Sequence, residues 1–146
     1  MTPLGLENGA ISDTQIDASS QLDSTHSAKQ ARLHSKADGS KWGSWSALTN
    51  DLSQWLQVDL STYTRVTRVA TQGSNGFYQW VTKYNLQYSD DGDKFHSFEE
   101  PGNNGAKVNP NYMFRKSLPP MKISSDYTNN HTFFTYFVSL SRILRF

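Results

Sequence analysis

The chain has 146 residues, a formal net charge of +1, 13% aromatic side chains and no cysteine. That length holds one domain with a single core of its own. The near-neutral charge gives no basic field of the kind that drives nucleic-acid binding, and no run of eighteen apolar residues is present to span a bilayer.

At the start, MTPLGLENG lacks the charged and apolar regions of a secretory signal, so none is expected within these residues. Residues 4–20 hold Leu6, Ile11 and Ile16 among Gly, Asn, Asp and Ser, a spacing that predicts one or two brief strands rather than a helix. Residues 21–30, QLDSTHSAKQ, are polar apart from Leu22 and Ala28 and read as a surface loop. Leu22 either covers the edge of the core or meets a ligand, and the two readings weigh evenly. Residues 34–51 are dense in Gly, Ser and Asp, with a turn at Asp38-Gly39. Trp42, in a glycine–serine setting, has no evident structural duty and is a candidate for ligand contact. A surface tryptophan with no ligand is nevertheless the more ordinary case.

The central stretch, residues 54–92, has the clearest pattern. Leu56, Val58 and Leu60 alternate with Gln57 and Asp59, and Tyr84, Leu86 and Tyr88 alternate with Asn85 and Gln87. A period of two puts one set of side chains on each face, so both runs are strands with one buried side. Between them lies the β-branched run of Val66, Thr67, Val69 and Thr71, which suits a pleated surface. Gly73 and Asp90-Asp91-Gly92 mark turns, with the two aspartates capping theirs. Asn75-Gly76 is a turn dipeptide followed directly by Phe77 and Tyr78. A turn tip cannot bury both rings without folding back on the sheet. An exposed Phe wants a covering partner, because burying it fully is worth ~1.5–3 kcal/mol. Phe95 and Phe98 fit a short strand, and residues 101–111 are rich in turn residues. In the tail, Phe133, Phe137, Leu140 and Leu144 make a helical stripe, while Val138 and Leu140 alternate with Ser139 and Ser141 as in a strand. Period alone does not decide between them.

The runs WLQVDL, VTRVATQG and WVTKYNLQYSDDG, preceded by LGLENGAISDTQIDASS and KQARLH, resemble the discoidin domain, also called the coagulation factor five/eight type C domain. The resemblance covers roughly residues 4–104. It implies an all-β fold, an antiparallel jelly-roll β-sandwich of the galactose-binding-like kind with eight core strands. Residues 1–104 would form that sandwich. Residues 105–146 depart from the family, which finishes with two core strands, an Arg-Tyr-Ile-Arg-like run and a final Cys. The last strands are therefore expected to be atypical or missing, with this segment either completing the sandwich or poorly ordered. Relatives join their ends by a disulfide; here Met1 stands about where the first Cys would fall. A cross-link over about a hundred residues is worth up to ~4.7 kcal/mol, so lower stability than in the relatives is expected.

The resemblance also implies a binding end made of projecting loops, onto which Leu22, Asp23, Trp42, Asn75, Phe77 and Tyr78 fall. Trp45, in SWSA, matches the family's core-edge tryptophan, and Trp80 and Val81 match the start of a core strand. Some relatives bind a structural calcium near Asp38. A hard cation needs six to eight oxygens and only one candidate side chain stands out, so Asp38 reads first as a turn residue and no cofactor is expected, a structural calcium being the alternative. Lys83 is a solvated lysine that would also attract anionic headgroups.

No enzyme pattern appears. His26, His34, His96 and His131 lack metal-ligand spacing, no Ser sits in a nucleophile elbow, and neither a phosphate loop nor a dinucleotide fingerprint is present. The expectation is a non-catalytic module of cell-surface or matrix adhesion, outside the cell, whose partner is a surface protein, a phospholipid or a glycan. A lectin-like module is the alternative, with loop aromatics and Asn75 in its favour and the absence of Arg in the loops against it. An incomplete, non-functional fragment is the third reading. Asn130-His131-Thr132 is a glycosylation sequon in a secreted chain.

Overall fold

The alternating apolar positions form strands, and the sheet they build brings distant parts of the chain together. The computed structural model describes residues 2–74, 79–81, 83–97, 113–118, 121–127 and 141–142. Among the described residues nine strands follow in order: β1 (Thr2–Pro3), β2 (Ile16–Ala18), β3 (Trp55–Val58), β4 (Thr64–Arg68), β5 (Lys83–Tyr88), β6 (His96–Ser97), β7 (Met113–Leu118), β8 (Met121–Tyr127) and β9 (Ser141–Arg142). Three single 3-10 turns, Asp13–Gln15, Ser24–His26 and Ala28–Gln30, are the helical content among the described residues.

All pairings are antiparallel. One sheet has the order β2-β3-β8-β5-β6, and β4-β7 and β1-β9 form two further ladders. The two alternating runs, β3 and β5, are not neighbours. β8 lies between them, with Leu56 and Leu86 both opposite Ile123 and Gln57 and Gln87 both opposite Lys122. The ladder of β1 and β9 pairs Thr2 with Arg142, so backbone hydrogen bonding joins the two ends of the chain where relatives are expected to carry a disulfide. Beyond residue 104, everything except 113–118, 121–127 and 141–142 lies outside the described residues, including the stripe of Phe133, Phe137, Leu140 and Leu144 and the sequon.

One apolar cluster fills the interior. Leu56, Val58, Leu60, Tyr84 and Leu86 meet Val66 and Val69, with Leu6, Ile11, Ile16 and Trp45 closing the cluster. The period-two pattern puts the first five on one face of their sheet, and burial of each large side chain contributes ~1.5–3 kcal/mol. Arg32 ties the first segment to this core, donating from its guanidinium to the carbonyls of Leu6 (2.6 Å) and Ile11 (3.0 Å) and to Asp13.

Trp45 is fully buried, and its indole N–H donates to the Ser20 carbonyl at 2.8 Å. Trp80 does not follow the core expectation. It is 54% exposed, whereas Val81 beside it packs against the cluster. Neighbours in extended chain point to opposite sides, so only one of the two can face inward.

Candidate functional site

Three chain segments gather at one end of the sandwich: residues 20–27 after β2, residues 42–54 before β3, and residues 73–74 with 79–80 between β4 and β5. They share an end because β2 finishes where β3 begins, Ala18 opposite Leu56. A short ladder of backbone bonds fastens the first two segments together. The N–H of Leu22 donates to the Ser46 carbonyl (2.8 Å), Ser46 to His26 (3.1 Å), and Trp42 to Thr25 (3.2 Å). The hydroxyls of Ser44 and Ser74 meet at 3.2 Å and connect the second segment to the third. In the third, the Ser74 N–H donates to the Gln79 carbonyl at 2.8 Å and closes a loop.

Beneath these loops Gln54 is a buried and fully satisfied pillar. Its amide oxygen accepts from the hydroxyls of Ser19 (2.8 Å) and Ser20 (2.6 Å), and its amide nitrogen donates to Thr49 (3.0 Å) and Asp51 (2.9 Å). A buried polar group costs stability when unpaired and specifies one arrangement when every partner is met. The pillar therefore fixes residues 48–53, which hold Leu48 and Leu52 outward at 60% and 61% exposure.

The backbone bonds bring the segments that carry Leu22, Asp23 and Trp42 side by side. Asn75, Phe77 and Tyr78 lie outside the described residues. Leu22 is half-buried, and Trp42 is 40% exposed. Asp23 caps the 3-10 turn: one carboxylate oxygen accepts from the N–H groups of Thr25 (2.8 Å) and His26 (3.1 Å), the Thr25 hydroxyl (2.6 Å) and His26 Nδ1 (2.8 Å). Its first duty is to hold the loop.

The histidine is what the sequence reading missed. His26 is buried at 6% exposure, and its ring stacks on Trp42 with centroids 5.1 Å apart and planes 19° from parallel. A signal was present in Asp23 followed three residues later by His26, the spacing at which a cap and a returning side chain meet. Asp38 keeps to its turn, accepting from the N–H (3.0 Å) and hydroxyl (2.8 Å) of Ser40. Among the described residues no group of three or more His, Cys, Asp or Glu is placed to hold a metal ion. At the opposite pole an open cavity of about 340 Å3 lies between the turns after β3 and β5, lined by Gln57, Asp59, Tyr63, Asp90 and Asp91 among others.

The Thr25 hydroxyl, then the His26 side chain, pull the Asp23 carboxyl down from 3.8 to about 2. Asp91 is likewise held at about 2, by the N–H groups of Lys94 and Asp93 and the hydroxyl of Ser89. A carboxyl depressed by folding stabilises the native state above its unfolded value, and that stabilisation fades as pH falls from about 3.8 towards 2. Melting temperature plotted against pH should therefore drop through that window. The drop should be shallower in Asp23→Asn, which starts from a lower plateau at neutral pH; parallel curves would remove Asp23 from the acid response.

Comparisons with known proteins agree with this architecture. Bovine lactadherin (Bos taurus) is 36% identical over 123 residues, covering 79% of this chain and 28% of its own length. The chain thus spans about a quarter of the curated relatives it matches. Among solved structures, discoidin II from Dictyostelium discoideum superposes with a TM-score of 0.68 at 21% identity, covering 86% of this chain and 52% of that one. A module from Clostridium perfringens, solved in complex with GalNAc-β-1,3-galactose, gives 0.60 at 15% identity over 94% and 95% of the two chains. At those identities the likeness shows the fold, a galactose-binding-like β-sandwich. The model of the F5/8 type C domain matches residues 15–127, past the last motif legible in the sequence and through the central strand β8. The chain belongs to the F5/8 type C, or discoidin, domain family.

Proposed function

We propose that this chain is a non-catalytic adhesion module that works outside the cell and docks its loop end onto a cell-surface or matrix ligand, an anionic phospholipid surface first among them. The observation that carries this reading is the placement of exposed apolar side chains. Of the five large hydrophobic residues that stand exposed among the described residues, Trp42, Leu48, Leu52 and Trp80 belong to the loop end, and Tyr63 to the opposite pole. Grouped apolar exposure on a well-packed scaffold marks an interaction surface. Tryptophan suits the headgroup level of a bilayer, where its apolar body and polar N–H are both accommodated. Lys29, Lys36 and Lys41 are exposed along the same stretch and supply attraction to anionic lipid. Asn75, Phe77 and Tyr78 extend the surface in this proposal, and Leu22 and Asp23 shape its base.

A lectin-like reading is second. It is favoured by the flat mounting of Trp42 on His26, a platform of the kind a sugar ring can cover, and by the disaccharide bound to the Clostridium perfringens neighbour.

A purified sample should be tested against vesicles of phosphatidylserine with phosphatidylcholine, vesicles of phosphatidylcholine alone, and a glycan slide. Leu48→Ser/Leu52→Ser and Phe77→Ala/Tyr78→Ala should each weaken binding to the anionic vesicles at least about tenfold, since each buried apolar side chain is worth ~1.5–3 kcal/mol. Glycan binding that ignores the leucine pair but is lost in Trp42→Ala would move the assignment to the second reading. A folded sample that binds none of the three would defeat the lipid assignment and leave a protein ligand as the adhesion partner to seek.

A further inference from the structure

We propose that His26 is the positioning residue of the loop end: without touching ligand, it holds the indole of Trp42 in its binding pose. The inference rests on the proposed reading only in taking the loop end as the contact surface. Imidazole and indole are stacked at 5.1 Å and 19°. The two rings differ sharply in exposure, 6% for the histidine and 40% for the tryptophan. His26 is therefore the inner member of the pair, and Trp42, the outer one, keeps 40% of its surface exposed.

The inner member is fixed independently of the outer one. His26 Nδ1 sits 2.8 Å from the Asp23 oxygen that also accepts the Thr25 and His26 N–H groups. The imidazole is thus locked to the 3-10 turn that carries it, with Thr25 Oγ1 a further 3.2 Å neighbour of the same nitrogen. The carbonyls on either side of its peptide group, Thr25 and His26, accept from Trp42 and Ser46. The turn therefore grips the tryptophan loop by backbone on both sides of the stacked pair.

Stacking on a fixed ring narrows the rotamers open to a tryptophan on a glycine–serine loop before any ligand arrives. Ordering one such side chain in advance removes a cost equivalent to several-fold and up to about tenfold in affinity. The carboxylate, the imidazole and the indole form a chain in which only the last member meets the ligand. Histidine suits the middle place because its flat ring stacks on the indole while its nitrogen reaches the carboxylate, two tasks that no aliphatic side chain combines.

The test uses the whole chain and four variants: His26→Ala, His26→Phe, Trp42→Ala and the double variant His26→Ala/Trp42→Ala. Binding is measured on the phosphatidylserine vesicles and the glycan slide. Near-ultraviolet circular dichroism follows the band that Trp42→Ala removes, and thermal melts establish that each variant is folded. His26→Ala should lose that band and bind about tenfold less tightly. His26→Phe, which keeps a flat ring beneath the indole, should recover most of both. The double variant should bind no more weakly than Trp42→Ala alone, because the two residues act in series. Additive losses, or a His26→Ala variant with wild-type binding, would overturn the proposal. Should the wild-type protein bind none of the probes, the adhesion reading is what fails; a Trp42 band that survives in His26→Ala then overturns the positioning role on its own. If His26→Ala does not fold, His26→Phe decides, with loss of both band and binding counting against the stacking role.

Discussion

Replacing Trp45 by alanine should lower the free energy of unfolding by about 3–5 kcal/mol and leave the chain close to unfolded at ambient temperature. The side chain is fully buried within the apolar cluster, so its removal forfeits a large transfer term and opens a cavity. It also strips the Ser20 carbonyl of its 2.8 Å donor. Ser20 is itself one of the hydroxyls on Gln54, so the damage reaches the pillar beneath the loops. Urea unfolding followed by far-ultraviolet dichroism should show a large fall in midpoint at a nearly constant slope. Trp45→Phe separates the contributions, keeping most of the bulk while orphaning the carbonyl at a cost of about 1–3 kcal/mol. An alanine variant within about 1 kcal/mol of wild type would mean that the site collapses around the gap, contrary to the usual behaviour of a packed interior.

Gly43→Ala is expected to cost about 2–3 kcal/mol and to strike the loop end directly. Gly43 has φ of +68°, where a side chain costs ~1–2 kcal/mol by itself. An added Cβ would also lie 2.6 Å from the Lys36 carbonyl carbon and 2.8 Å from the Ala37 nitrogen. Those are backbone atoms and cannot rotate aside, so the loop must move. Gly43 stands between Trp42, stacked on His26, and Ser44, bonded to Ser74, so such a movement disturbs both connections. Gly39→Ala is the control: φ is +84° there, but nothing lies within 4 Å of the added carbon. Melting temperatures should fall further for Gly43→Ala than for Gly39→Ala, and only the former should lose the near-ultraviolet contribution of Trp42. Equal losses would show that the cost is conformational and the close approach to residues 36 and 37 harmless.

What the sequence disclosed follows from the range of the forces involved. Leu56, Val58, Leu60, Tyr84 and Leu86 are buried as their alternation requires, because period two is a local consequence of strand geometry. Asp23 and Trp42 fall on loop positions that the resemblance marks out, and the structure places their segments side by side. Trp80 was misassigned because family position says where a strand approaches but not which of two neighbours faces inward. The placement of β8 between β3 and β5 had no local signal at all, since MKISSDY carries no clear alternation and strand order is decided by long-range pairing. His26 escaped notice for a related reason: a histidine in a polar loop is ordinary until its carboxylate cap and its aromatic neighbour are brought beside it by the fold.

The central position of β8 also bears on how the protein is made. During synthesis β3 and β5 emerge well before the strand that pairs with both, and at about 5–20 residues per second the wait is on the order of seconds. Throughout that interval the nascent chain presents two unpaired strand edges with adhesive apolar faces, the template on which unrelated chains aggregate. Native pairing must then be made by late insertion between two strands already present, a non-local closure of the kind that folds in milliseconds to seconds rather than microseconds. Yield in a cell should therefore depend on chaperone holding during translation more than on the equilibrium stability of the finished sandwich.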